Sequence, residues 1–242
     1  MRIGLIADIH GNLVALDAVL ADLERAHVDR IVCLGDVAWG PQPRQAVERL
    51  RALRFPTIMG NADDELYDIP AETPDDDDAR VTLDIDRWCV AQLSPDDLNY
   101  LRSFQPTIEL SLGDERTLLL FHGSPHSFHD RIVATTPDDD LARMLSGYSA
   151  TVMAGGHTHA QMLRRYRGMI ILNPGSVGLP FEQEPGANEG RNPPWAEYAI
   201  VGQEGGALRV ELRRVPVDVG AVVQATRESG MPHAELFVQE WG

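Results

Sequence analysis

The sequence predicts a mixed α/β protein with two β-sheets in a single domain, residues 1–242, and three observations support that fold class. In the first 60 residues, short apolar runs alternate with amphipathic runs of helical period, as in βαβ units around a parallel sheet. In the second half, strand-like runs follow one another with few helices between them, which favours antiparallel pairing. A length of 242 residues with 43% hydrophobic residues is typical of one large globular domain.

The first half of the chain is predicted from local patterns. The run from Leu13 to Leu23 places apolar side chains at helical spacing, whereas the runs before and after it are short enough for buried strands. Residues 70–80 are acidic and contain proline, so we expect a solvated loop there. Ser94 followed by Pro95 is typical of a helix start. The predicted strands are 2–7, 30–34 and 57–59, and the predicted helices are 12–26, 45–53, 81–92 and 96–104.

The second half is predicted to be richer in strands. Gly113-Asp114 and Gly205-Gly206 are turn signals that separate strand-like runs. Residues 179–195 are rich in proline and glycine and read as a long loop. The sequence has no internal repeat of fixed period. The predicted strands are 107–112, 117–121, 150–153, 161–166, 169–172, 198–202 and 208–215, and a helix is predicted near 219–228.

The charge balance excludes several classes of function. The 37 acidic residues exceed the 21 basic ones, so general nucleic-acid binding is not expected. Every basic residue is arginine, which excludes a P-loop lysine and a Schiff-base lysine. Cys33 and Cys89 have no CxxC spacing, so we expect neither a disulfide nor a structural zinc site, and the expected location is the cytoplasm. No apolar run approaches the length of a membrane span.

Side chains able to bind metal follow the ends of the predicted strands. Because ligands bind outside the carboxyl ends of strands in open α/β sheets, we expect these segments to converge on one crevice. Taken singly, each has an ordinary explanation, such as a helix cap or a turn. Asp, Asn and His together suit Mn²⁺, Fe²⁺ or Zn²⁺. The segments are Asp8-Ile9-His10, Gly35-Asp36, Gly60-Asn61-Ala62-Asp63, His122-Gly123 and Gly155-Gly156-His157-Thr158-His159.

In this order, the five segments resemble the signature of the calcineurin-like metallophosphoesterase superfamily, and the resemblance spans residues 3–178. It is closest to the small bacterial phosphodiesterase branch, which shares the stretches at 122–125 and 173–176. The resemblance implies a four-layer α-β-β-α sandwich with two mixed sheets and a centre of two divalent metal ions. Mn, Fe or Zn is expected, and Ni or Mg is compatible. One ion would be held by Asp8, His10, Asp36 and His159, and the other by Asp36, Asn61, His122 and His157.

The implied activity is hydrolysis of a small-molecule or nucleotide-type phosphodiester by a hydroxide that bridges the two metals. Dinucleoside polyphosphate hydrolases, phosphomonoesterases and protein phosphatases are alternatives within the same superfamily. A scaffold that keeps the fold without catalysis is the alternative outside the enzymes. The expected partner is the substrate alone, with no membrane and no general nucleic acid, and the sequence does not indicate an oligomeric state.

One motif position departs from the superfamily pattern, because Ala62 stands where many members have histidine. Alanine cannot protonate a leaving group, so a substitute acid is expected. We expect His126 in that role, with His129 as the second candidate, since both follow His122 in one loop. Trp39 either stacks on the substrate or packs beneath the Asp36 loop. The expected catalytic residues are Asp36, Asn61, Asp63 and His126, and the expected substrate contacts are Asn61 and Arg191.

Overall fold

The structure is a computed structural model that describes residues 1–182 and 190–241. It contains two mixed sheets with helices on their outer faces, which confirms the predicted fold class. The strands are β1 (Arg2–Ile6), β2 (Arg30–Cys33), β3 (Ile108–Gly113), β4 (Arg116–Leu120), β5 (Val152–Ala154), β6 (Met162–Tyr166), β7 (Met169–Asn173), β8 (Trp195–Glu204) and β9 (Ala207–Pro216). The helices are α1 (Leu13–Arg25), α2 (Pro43–Leu53), α3 (Asn61–Glu65), α4 (Asp77–Gln92), α5 (Pro95–Arg102), α6 (Asp138–Met144), α7 (Val219–Glu228) and α8 (Ala234–Gln239).

Each sheet combines parallel and antiparallel pairs. The first has the order β2-β1-β8-β9, with β1 parallel to β2 and antiparallel to β8. The second has the order β3-β4-β5-β7-β6, with a parallel centre of β4, β5 and β7 and antiparallel strands at both edges. The C-terminal hairpin therefore completes the sheet that the first residues begin. Parallel strands form the centre of the second sheet, whereas the parallel pair of the first sheet includes its edge strand β2.

Three apolar clusters separate the four layers. Ile3 and Leu5 of the first sheet pack against Leu118 and Leu120 of the second, so one core lies between the sheets. A second core lies between the first sheet and α1, α2, α4, α5, α7 and α8. A third, around Phe121, lies between the second sheet and α6. This layering is the α-β-β-α sandwich that the resemblance implied.

Local structure differs from prediction in several places. Residues 57–59 form isolated bridges, Cys33 to Thr57 and Ile58 to Gln105, rather than a strand. Helix α4 begins four residues before the predicted start, because Asp76 caps it by accepting from the Ala79 amide. Strand β8 begins at Trp195, inside the predicted loop 179–195, and residues 183–189 of that loop lie outside the described residues. The short helices α3, α6 and α8 were not predicted. Across the described ranges, no helix has the length and apolar character needed to cross a membrane.

Candidate metal centre

Side chains with metal-binding atoms converge where the carboxyl ends of strands from both sheets meet. The Asp8 amide donates to the Gly35 carbonyl and the His10 amide to the Asp36 carbonyl, each at 3.0 Å, so the β1–β2 pairing continues into the site. The chain order supplies Asp8 and His10 after β1, Asp36 after β2, Asn61 at the start of α3, His122 after β4, and His157 and His159 after β5.

Five of these seven residues have left-handed backbone conformations. Non-glycine residues rarely adopt positive φ, because the Cβ atom crowds the backbone. At a strand end this conformation turns the chain sharply, so that two side chains of an Asp-x-His or His-x-His segment both reach one crevice. The φ values are 54° at Asp8, 46° at His10, 55° at Asp36, 68° at His157 and 57° at His159.

The first group of ligand atoms comes from Asp8, His10, Asp36 and His159, and all of them lie within 4.8 Å of one another. The Nε2 atoms of His10 and His159 are 3.0 Å apart. The distance from His159 Nε2 to Asp8 Oδ1 is 3.6 Å. Asp8 and Asp36 are buried, so the group consists of carboxylate oxygens and imidazole nitrogens shielded from water.

The second group shares Asp36 with the first. Ligand atoms of Asp36, His122 and His157 lie within 4.8 Å of one another, and Asn61 Oδ1 is 3.0 Å from His122 Nε2. Asp36 Oδ2 is 3.3 Å from His122 Nε2 and 3.7 Å from His10 Nε2, so one oxygen faces both groups. The two groups have the membership that the resemblance implied, and metal binding by these atoms stays a prediction.

Backbone contacts fix the orientation of Asp36. Its Oδ1 accepts the Ala62 amide at 2.9 Å, which leaves Oδ2 for the shared position. A Cβ at Gly60 would lie 2.0 Å from Asp36 Oδ1, so a larger residue there would displace the carboxylate. Asp36 therefore lies too close to residue 60 for any side chain larger than that of glycine.

Carbonyl groups orient two of the histidine rings. His122 Nδ1 donates to the Leu34 carbonyl at 2.7 Å, and His159 Nδ1 donates to the Leu179 carbonyl at 2.8 Å. Because a carbonyl only accepts, Nδ1 carries a proton in both rings and Nε2 faces the other ligands. In its neutral form each ring therefore presents an Nε2 lone pair to the crevice.

The electrostatics of the site couple cation binding to the release of protons. Burial raises the pKa of Asp8 to about 8, and the neighbouring Asp36 carboxylate adds to the rise. Burial acts the same way on Asp36, but the surrounding imidazoles outweigh it and hold the pKa of Asp36 below its usual range. Burial lowers the pKa of His157 to about 4 and that of His159 to about 3, so both rings are neutral at pH 7. Burial also lowers the pKa of His122, but the Asp36 and Asp8 carboxylates outweigh it and raise that pKa to about 9. A cation bound here would therefore displace protons from Asp8 and His122.

The donor set fits a pair of divalent cations. Two imidazole nitrogens at 3.0 Å, as in His10 and His159, need a proton or a cation between them. His10 Nδ1 is buried and has no partner at full hydrogen-bond geometry in residues 1–182 and 190–241, although the Trp39 backbone lies near this ring. Mixed oxygen and imidazole ligands suit Mn²⁺, Fe²⁺ and Zn²⁺.

Comparison with known proteins identifies the family. Residues 1–188 match the model of the calcineurin-like phosphoesterase superfamily domain. The chain belongs to that superfamily. A metallophosphoesterase from Sphaerobacter thermophilus is 28% identical, with a TM-score of 0.74 over 100% of this chain and 98% of its own. A hypothetical protein from Pyrococcus horikoshii shares the fold with a TM-score of 0.78 at 19% identity, over 100% of this chain and 98% of its own.

An uncharacterized protein of Methanocaldococcus jannaschii is also similar, at 26% identity over 95% of this chain and 93% of its own length. As a member of the superfamily, the protein is a hydrolase that acts on phosphoester bonds, and the superfamily depends on divalent metals.

The segment after β7 holds the turns of the candidate metal centre in place. Ser176 Oγ donates to the Asp8 carbonyl at 2.8 Å, and the Gly178 amide donates to the same carbonyl at 2.9 Å. Asn173 Nδ2 donates to the Gly156 carbonyl at 2.7 Å. Asn173 and Ser176 thereby join the turn at β1 to the turn at β5, which carry the first ligand group.

Asp63 supports the loop that carries Asp36. Its Oδ1 accepts the Val37 amide at 2.9 Å and the Ala38 amide at 3.0 Å. It is the third residue of α3, whose N-cap is Gly60, so Asp63 does not cap that helix. Burial raises the pKa of Asp63 to about 7, and Asp36 adds to the rise. These contacts favour a positioning role for Asp63 rather than a direct part in the chemistry.

Trp39 packs behind His10. The two rings form an edge contact with centroids 5.5 Å apart, and Trp39 also contacts Phe237. Its Nε1 donates to Asp86 Oδ1 at 2.8 Å. Of the two roles expected for Trp39, these contacts support packing beneath the loop.

The two histidines expected as substitute acids have different surroundings. His126 Nε2 lies 2.8 Å from the Ser146 carbonyl, and its ring contacts Tyr148, so this histidine is engaged outside the ligand groups. His129 Nδ1 lies 3.7 Å from Glu65, the last residue of α3. Burial is the largest cause of the low pKa of His157, and the charge of His129 is a smaller cause in the same direction. The geometry therefore favours His129, the second candidate, over His126.

The structure places two arginines differently with respect to the centre. Arg191 forms a backbone bridge with Glu182, and its guanidinium lies 3.7 Å from the Glu182 carboxylate. The side chain expected to contact phosphate is therefore paired with an acidic residue. Arg131, which sequence reasoning missed, is close enough to His157 for its charge to lower the pKa of that ring. Its sequence signal was its place in the loop that follows the expected ligand His122.

Proposed function

We propose that this phosphoesterase hydrolyses a small-molecule or nucleotide-type phosphodiester at a dinuclear metal centre. The observation that carries the proposal is the shared carboxylate: Asp36 Oδ2 faces both ligand groups, at 3.7 Å from His10 Nε2 and 3.3 Å from His122 Nε2. Two cations that share one oxygen fit the separation of about 3.5–4 Å common to two-metal hydrolases.

The proposed ligands form two sets that share Asp36. Asp8, His10 and His159 would hold one cation, and Asn61, His122 and His157 the other, with Asp36 common to both. When bound, the two cations would activate water for attack on phosphorus and neutralise charge on the phosphate. The amide of Asn61 also reaches the edge of the second group, where it would orient a phosphate oxygen.

A protein nucleophile has little support. Ser124 Oγ donates to Asp130 Oδ2 at 2.7 Å, and its neighbour His122 belongs to the second ligand group. Burial raises the pKa of the Cys89 thiol to about 12 and that of Cys33 further, so neither forms a thiolate at neutral pH. Direct attack by water therefore accounts best for the residues present.

Ala62 favours a diester over a phosphoprotein as substrate. The alanine methyl cannot donate a proton, so the leaving group must be good or must be protonated by another residue. His129 is the proposed donor, because it lies beside Glu65 and its charge reaches His157.

The test is turnover of chelator-stripped protein on bis-p-nitrophenyl phosphate and p-nitrophenyl phosphate, with Mn²⁺, Fe²⁺, Zn²⁺, Ni²⁺ or Mg²⁺ restored separately. We expect metal-dependent activity, a preference for the diester, and a loss of at least about 100-fold in Asp36→Asn. Asp17→Asn is the matched control, because Asp17 is an exposed carboxylate on α1 that pairs with Arg49.

Two outcomes would contradict the proposal in different ways. A preference for the monoester would assign the enzyme to the phosphomonoesterases. Measured metal binding without turnover of either ester would favour the scaffold alternative.

A further inference from the structure

The loop between β4 and α6 returns to the metal centre. Ser124 Oγ donates to Asp130 Oδ2 at 2.7 Å and accepts the Ser127 amide at 3.1 Å, which closes the loop on itself. A Cβ at Gly123 would lie 2.7 Å from the Asp130 carbonyl oxygen and 2.8 Å from its amide nitrogen. The backbone of Asp130 therefore lies directly against Gly123, the residue after His122.

Ile132, which follows Arg131, is held in place as Asp130 is. Ile132 is 5% exposed and shares a small void with Gly155 and Gly156. The Gly156 amide donates to the His122 carbonyl at 2.9 Å, so the strand ends of β4 and β5 are joined at this point. Arg131 thus lies between two anchored residues, next to the segment that carries His157.

The Arg131 side chain is exposed, and within the described ranges it makes no ion pair. Most other arginines of the protein are paired, as Arg164 is with Asp138 and Arg227 with Glu235. In a chain of net charge −16, an unpaired arginine at the centre offers the positive potential that an anionic substrate needs.

We infer that Arg131 binds a non-bridging oxygen of the substrate's phosphoryl group on the His157 side of the centre. The inference rests on the proposed function, because it assigns a substrate contact at the same site. The guanidinium fork suits this role, since it donates two parallel hydrogen bonds to phosphate oxygens. The anchored Asp130 and Ile132 hold the Arg131 backbone while the side chain stays free to approach the ligand.

The experiment is titration of the Mn²⁺-loaded protein with inorganic phosphate by calorimetry, together with KM and kcat on bis-p-nitrophenyl phosphate. We expect Arg131→Gln to weaken phosphate binding about 10-fold or more and to raise KM more than it lowers kcat. Arg131→Lys should recover part of the affinity, because lysine keeps the charge but not the fork. Arg30→Gln is the charge-matched control, because Arg30 is exposed at the amino end of β2, away from the site.

Metal content is measured in every variant, so that a lost contact is distinguished from a lost metal. Equal phosphate affinity in the parent and Arg131→Gln would overturn the inference, and so would a parallel loss of Mn²⁺ from Arg131→Gln. A parent that binds Mn²⁺ and phosphate but hydrolyses no ester would contradict the proposed function. In that case a weaker phosphate affinity of Arg131→Gln would still support Arg131 as the phosphate contact.

Discussion

At Ala62, the backbone keeps the contact that orients Asp36, whereas the side chain cannot donate a proton as the histidine of the superfamily motif can. The backbone amide of Ala62 still donates to Asp36 Oδ1 at 2.9 Å, so the position continues to orient the shared carboxylate. The side chain has lost the ability to transfer a proton. The orientation of Asp36 therefore does not depend on the Ala62 side chain, and where the leaving group needs a proton, another residue has to donate it.

We predict that His129→Gln lowers turnover of an unactivated alkyl diester about 10- to 100-fold and changes turnover of bis-p-nitrophenyl phosphate much less. The reason is that a nitrophenolate leaves without a proton, whereas an alkoxide needs one. Steady-state rates on both esters test this. His126→Gln is the matched control, because that ring is held by Ser146. An equal fall on both esters in His129→Gln would contradict the role of acid.

At the scale of elements, the loop after β2 is held against α4 through Trp39 and Asp86. Trp39 contacts His10 on one side and donates to Asp86 on the other, so α4 supports the ring of His10, a candidate metal ligand, through one intervening residue. Burial raises the pKa of Asp86 from its ordinary 3.8 to about 6, although the bond from Trp39 opposes the rise. The folded protein therefore holds the Asp86 proton more tightly than the unfolded chain does.

This shift predicts how stability changes with pH. A raised carboxyl pKa stabilises the folded state below about pH 4, and that contribution is lost as pH rises through about 6. We expect metal-free Asp86→Asn to gain free energy of unfolding relative to the parent between pH 4.5 and 7.5. Asparagine keeps an acceptor for Trp39 but does not ionise. Urea unfolding across that range measures the difference, with Asp17→Asn as control. A constant difference between Asp86→Asn and the parent at all pH values would argue against the shift.

At the scale of the whole molecule, the candidate centre lies at the junction of the two sheets. Asp8 and Asp36 follow strands of the first sheet, whereas His122 and His157 follow strands of the second. Cations held at this junction would bind only the folded chain, because the ligands are far apart in sequence. Metal binding therefore has to stabilise the packing of one sheet on the other.

We predict that saturating Mn²⁺ raises Tm by about 5–10 °C over the chelator-treated protein. A ligand at 100 times its Kd adds about 2.7 kcal/mol to the free energy of unfolding, which is a shift of this size for a chain of about 240 residues. Calorimetric scans with and without Mn²⁺ measure it. Asp36→Asn should lose most of the increment, while Asp17→Asn should retain it. An unchanged Tm in the parent would contradict cation binding at the junction.

Much of the fold could be predicted because local patterns agree with tertiary packing. The apolar patterns of β1, α1 and β2 each depend only on side chains within that element, and all three elements were predicted closely. Residues 57–59 are an apolar run that lies beside Cys33 and Gln105 without forming a ladder, and no local pattern distinguishes that from a strand. The short α3 and α6 contain few periodic positions, so their sequence signal is weak.

The sequence by itself determined the chemistry of the candidate site, because the order Asp8, His10, Asp36, His122 and His159 at strand ends identifies the ligand types without coordinates. Tertiary structure alone decided which atoms meet and which loop residues reach them. His126 and His129 are three positions apart in one loop, yet one contacts Ser146 and the other lies beside Glu65. Arg131 and Arg191 also differ, because Arg131 lies next to the segment that carries His157, whereas Arg191 is paired with Glu182. The physical reason is that these positions depend on how a loop folds back on Gly123 and on contacts between distant segments, which neither periodicity nor motif spacing records.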